Sequence, residues 1–77
     1  MTTTTEIREQ IAAEVRAELA RQQVTQRDLA AVLDMTQPAL QLRLVGKRSF
    51  RGEELAKIAA YLGVPVTGFL PTMERAA

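Results

Sequence analysis

The chain has 77 residues, 47% of them apolar but only 4% aromatic, and a net charge of +1. That is enough for one small domain with an economical core, since a chain of this size buries only about 60% of its unfolded surface. It has no cysteine and no histidine, which excludes disulfide staples and thiolate zinc sites, and neither a metal nor another cofactor is expected.

No apolar run approaches the roughly 20 residues of a membrane span, and residues 1–5 lack the charged-then-apolar pattern of a signal peptide. A cytoplasmic protein with no membrane contact is the expectation. Charge is distributed unevenly. Between residues 6 and 18, Glu6, Glu9, Glu14 and Glu18 outnumber Arg8 and Arg16, whereas residues 36–51 hold Arg43, Lys47, Arg48 and Arg51 and no acid.

In chain order, residues 1–5 read as a flexible polar tail, with Thr5 as the N-cap of a first helix over residues 6–22. Ile7, Ile11, Val15 and Leu19 recur every fourth residue, widened by Ala12 and Ala20, while Glu6 and Glu9 suit the positive end of the helix dipole. Thr25 and Asp28 form a Thr-x-x-Asp variant of the capping box before a short second helix that ends near Leu33. Asp34 and Met35 make a turn, and Thr36 caps a third helix. Pro38 falls in its first turn, where a missing N–H costs nothing. Leu40 and Leu44 give this helix its apolar face, and Gly46 ends it.

Residues 47–51 are a basic loop. Glu53 and Glu54 open a fourth helix, whose apolar stripe is Leu55, Ile58, Ala59 and Leu62, with Tyr61 expected to pack beside it and Gly63 closing it. A last short helical turn carries Val66, Phe69 and Leu70 and stops at Pro71, and residues 72–77 form a C-terminal tail. The expectation is all-α: five helices over residues 6–71, without strands.

Two short helices separated by about three residues must cross steeply, which is helix-turn-helix geometry. The helices then touch at a position that has to be small, here Ala30, with apolar side chains at Leu29, Leu33, Met35 and Leu40. The run Gln26-Arg27-Asp28-Leu29-Ala30-Ala31-Val32-Leu33-Asp34-Met35-Thr36-Gln37-Pro38-Ala39-Leu40 resembles the lambda-Cro and phage-repressor type of helix-turn-helix (the Xre-like class). The resemblance continues through Gly46-Lys47-Arg48 and the stretch from Glu54 to Pro65, covering roughly residues 7–70. It departs at Asp34, where the family usually has glycine, and at Pro38 and Leu42, where polar base readers are common.

The resemblance implies a compact lambda-repressor-like domain with its helix-turn-helix in the second and third helices. The third helix would enter the major groove of double-stranded DNA. Gln37 and Gln41 share a face, and glutamine pairs bidentately with adenine, so both are candidate base readers with Gln37 first. Thr36 caps the helix, contacts DNA, or does both, with capping ahead. Pro38 and Leu42 offer van der Waals contact at most, with a thymine methyl as its target. Gln26, Arg43, Lys47, Arg48, Ser49 and Arg51 are the candidate phosphate ligands, with Arg43 either holding a phosphate from the outer face, which is preferred, or reading guanine.

Two reading residues discriminate weakly, which argues for a homodimer on a pseudo-palindromic operator, joined through the C-terminal apolar segment. The function expected is a transcriptional regulator, a repressor of phage or bacterial origin, with no small-molecule ligand. Catalysis is not expected: Ser49 is the lone serine, and Glu53 and Glu54 are adjacent and do not face each other. The alternative is a protein-interaction module of the same fold, antitoxin- or adaptor-like, with accessory DNA binding.

Overall fold

The computed structural model describes residues 3–71. The tail over residues 72–77 lies outside the described residues. Helix α1 spans Thr4–Gln22, α2 Gln26–Val32, α3 Gln37–Leu44 and α4 Gly52–Leu62. The fifth helical element is a single 3-10 turn, Val66–Phe69, and no strand occurs among the described residues.

α1 begins earlier than the sequence suggests, and Thr3, not Thr5, is its N-cap. The reason is reciprocal capping. Thr3 Oγ1 accepts from the Glu6 amide at 3.0 Å, and Glu6 Oε1 accepts from the Thr3 amide at 2.8 Å. Only Thr3 has a glutamate three residues on; Thr5 has Arg8 there, which cannot accept a hydrogen bond. Thr4 and Thr5 therefore belong to the first turn and not to a tail.

All four helices leave through a left-handed residue or a tight reversal of the Schellman kind, which pairs the last carbonyls. Val24 N donates to Leu19 O, Met35 N to Ala30 O, Lys47 N to Leu42 O and Val64 N to Ala59 O. Gly46 and Gly63 take positive φ freely, but Gln23 and Asp34 hold φ of 59° and 54° without being glycine. A side chain in that region costs about 1–2 kcal/mol, less for aspartate, whose short polar group tolerates it. Gln23→Gly is accordingly expected to stabilise the domain by about 0.5–1 kcal/mol after the entropy cost of glycine, and Asp34→Gly by less. Thermal melts of the two variants check the order.

The core joins Val15 and Leu19 of α1, Leu29 and Ala30 of α2 with Leu33 after it, Leu40 and Leu44 of α3, Leu55, Ile58, Ala59 and Leu62 of α4, and Phe69. α2 packs on α3 and α4, α1 on α3, and the 3-10 turn on both α1 and α4. Phe69 thus closes the bottom of the core between two helices, a burial that contributes about 1.5–3 kcal/mol. The expected stripes hold in α3 and α4. In α1 they hold less well: Ile7 and Ile11 are half-buried, and Ala20 faces solvent because it lies one residue, about 100°, round the helix from Leu19. Tyr61 also differs from expectation and is 48% exposed.

Candidate nucleic-acid interface

Thr25 and Thr36 cap the two short helices. Each side chain accepts from the amide three residues on, Asp28 at 3.0 Å and Ala39 at 3.2 Å. Leu33, Asp34, Met35 and Thr36 connect them. Leu29, Ala30, Leu33 and Leu40 fill the crossing, with Met35 half-buried beside them. Capping is therefore the role the structure gives Thr36, and its hydroxyl keeps a proton to donate.

With Leu40 and Leu44 buried, the opposite side of α3 is free. Gln37, Pro38, Gln41 and Leu42 are all exposed, as is Val45 at the helix exit. Pro38 sits in the first turn, as expected. The candidate base readers thus occur on one short, solvent-facing helix and, for Thr36, at its N-cap. Gln26 is exposed in the first turn of α2, next to Arg27, which sequence reasoning passed over.

Gly46 fixes where the basic loop starts. Its φ is +81°, and a Cβ there would stand 3.0 Å from Glu9 Cγ and 3.3 Å from Glu9 Cα, so the chain crosses α1 at close range. Phe50 packs half-buried against the core, and the Arg51 amide donates to Glu54 Oε1 at 2.9 Å. Arg8 Nε donates to Ser49 Oγ at 3.0 Å, tying the loop to α1 across 41 residues of sequence. The backbone is therefore held at several points. Lys47, Arg48 and Arg51 are exposed and form no ion pair among the described residues.

Arg43 departs from this group. Its Nε lies 3.1 Å from Glu54 Oε1, its Nη1 donates to Ala39 O at 2.9 Å, and the paired side chains are only 13% and 14% exposed. Instead of standing on the outer face as a phosphate ligand, it clamps α3 onto α4. Arg16 supports the same helix by donating to Leu44 O, where a cation complements the negative end of the helix dipole. Arg8 and Arg16 lie in the acid-rich first helix, so a count of charges along the chain hides their approach to α3 and the loop.

The helix-turn-helix family model matches residues 15–69, more than two thirds of the chain. The chain belongs to the helix-turn-helix family, of the Xre and lambda-repressor type. Among solved structures, this helix-turn-helix protein is similar to the DNA-binding domain of BldD, at 24% identity and a TM-score of 0.75 over 90% of this chain and 100% of that one. That likeness extends to the fold. No curated protein matches the chain significantly. The family match begins at Val15, so Arg8 and the Thr3 cap lie outside the matched segment. Among the described residues, no cluster of carboxylates suited to a metal ion occurs, and no helix is long and apolar enough to cross a membrane.

Proposed function

We propose that this protein is a sequence-specific, double-stranded DNA-binding transcriptional regulator, with α2 and α3 as its helix-turn-helix and α3 as the reading helix in the major groove. One observation carries the reading. The exposed face of α3 presents Gln37 and Gln41 and runs directly into a pinned loop whose cations are exposed and unpaired among the described residues. Gln37 and Gln41 read adenine N6 and N7. Lys47, Arg48, Arg51 and Ser49 hold phosphates beside the groove, with Gln26 contributing from the start of α2.

Homodimerisation on a pseudo-palindrome follows from the energetics. Each bidentate pair discriminates by about 1–3 kcal/mol, too little from one helix for a regulator. The exposed Tyr61, Val66 and Leu70 supply an apolar surface at the C-terminal end for that contact. A dimer seated on an operator represses by occlusion and needs no further surface. Repression, in a bacterial or phage setting, is therefore the regulatory role adopted.

The test is selection of bound duplexes from a random pool at moderate salt, followed by sequencing. A two-fold symmetric consensus is expected, and Gln37→Ala should relax one base position in each half-site at a cost of about 1–3 kcal/mol per half-site. Binding only at low salt, without enrichment, would refute sequence reading and point to a partner-binding module.

A further inference from the structure

α3 exposes more apolar surface than a solvated helix needs. Pro38, Leu42 and Val45 follow one another at i, i+4 and i+7, so they form a single ridge along the helix. Leu42 is 39% and Val45 42% exposed, among the few large apolar side chains the fold leaves outside. This ridge runs beside the one formed by Gln37 and Gln41, and both end at Val45, where the chain turns through Gly46 into Lys47 and Arg48. No acid lies anywhere between residues 36 and 51. The surface is thus apolar along its middle, amide-bearing on one side and cationic at its end.

An acidic peptide would satisfy the cations but leave the glutamines without a patterned partner. A major groove satisfies all three. Its phosphates face the cations and its adenines face the glutamines, and the apolar groups it presents are the C5 methyls of thymine. We infer that the Pro38–Leu42–Val45 ridge is a methyl reader, and that each half-site carries thymines whose C5 methyls pack on Leu42 and Val45. This inference rests on the DNA-reading assignment above and adds Val45 to the specificity-determining residues. Adenine readers and methyl readers on neighbouring ridges together select A·T pairs: a glutamine takes the adenine of one pair while the apolar ridge takes the thymine of another.

The experiment uses the full chain and a duplex recovered by the selection, synthesised with thymine and again with deoxyuridine at single positions in each half-site. Uracil keeps every hydrogen-bonding group and loses only the methyl. Affinity is expected to fall about fourfold for each contacted methyl, the transfer value of one buried carbon. Leu42→Ala and Val45→Ala should each lose most of the preference for thymine over uracil at the position that side chain contacts, while keeping the wild-type salt dependence. Both positions are exposed, so the fold is retained, and far-UV circular dichroism checks it. Equal wild-type affinity for both duplexes would overturn the methyl reading and leave the regulator assignment standing. A chain that selects no duplex, or binds an acidic peptide in preference, would overturn both.

Discussion

Replacing Glu54 by alanine is expected to destabilise the domain by about 2–3 kcal/mol, because it strands one member of a partly buried, hydrogen-bonded ion pair and removes the cap of α4. At about 4–8 °C per kcal/mol for a domain of this size, the melting temperature falls by roughly 8–24 °C. The size of the effect comes from a single oxygen. Glu54 Oε1 accepts from Arg43 Nε at 3.1 Å and from the Arg51 amide at 2.9 Å, so one truncation unpairs a guanidinium and uncaps α4 together. Arg51 has no side-chain acceptor to cap that helix itself, which leaves the carboxylate as the side-chain partner at its start among the described residues. A 77-residue domain has about 4–12 kcal/mol of total stability, so most of a weak fold or a quarter of a strong one is at stake.

Two companions separate the contributions in thermal or urea melts. Glu54→Gln keeps an oxygen for the Arg51 amide and loses only the charge, and a loss of about 1 kcal/mol is expected. Arg43→Met with Glu54→Leu removes both charges, and should recover most of the stability lost by the single alanine change. If Glu54→Ala melts like the wild type, the pair contributes no more than an exposed salt bridge does, about 0–1 kcal/mol. Arg43 would then not be the clamp between α3 and α4.

What could be read in the sequence was whatever depends on near neighbours. Thr25 and Thr36 announce their helices because a capping side chain bonds an amide three residues away. The stripe of Leu55, Ile58, Ala59 and Leu62 likewise repeats within one helix. The left-handed turn at Asp34 was legible as a tolerated departure from glycine. The errors have the opposite character. Arg43 lies between Leu40 and Leu44 on the helix, so its fate hangs on a partner 11 residues away that no local rule supplies. Arg8 meets Ser49 only because the fold brings the start of α1 across the loop. Tyr61 and Ala20 sit beside buried residues on their helices, and only the packed neighbours decide which side of the stripe is covered. Thr3 is the exception: its glutamate partner was in plain view three residues on, and the run of threonines concealed which one was the cap. Of the candidate site, α3's exposed face and the basic loop were legible, while the inward turn of Arg43 and the exposure of Val45 required the packing.

Removing Lys47, Arg48 and Arg51 together by alanine is expected to weaken DNA binding at least as much as any single base-reading variant, without altering what is read. Each phosphate neutralised contributes about 0.9 to the slope of log affinity against log salt, so the slope should flatten by roughly 3 per half-site. At 0.1 M salt this amounts to about two to three decades of affinity per half-site. The consensus from selection should be unchanged, since phosphate contacts position the domain and carry no sequence information. Stability should also stay close to the wild type. All three side chains are exposed, and the hydrogen bond at Arg51 that caps α4 comes from its backbone amide, which alanine retains. Arg43→Ala supplies the contrast: it should lower the melting temperature and leave the salt slope nearly intact, because its guanidinium faces Glu54 and not the solvent. A flattened slope for Arg43→Ala with no change in melting would mean that the arginine swings out to phosphate on binding. An unchanged slope for the triple variant would remove the loop from the interface altogether.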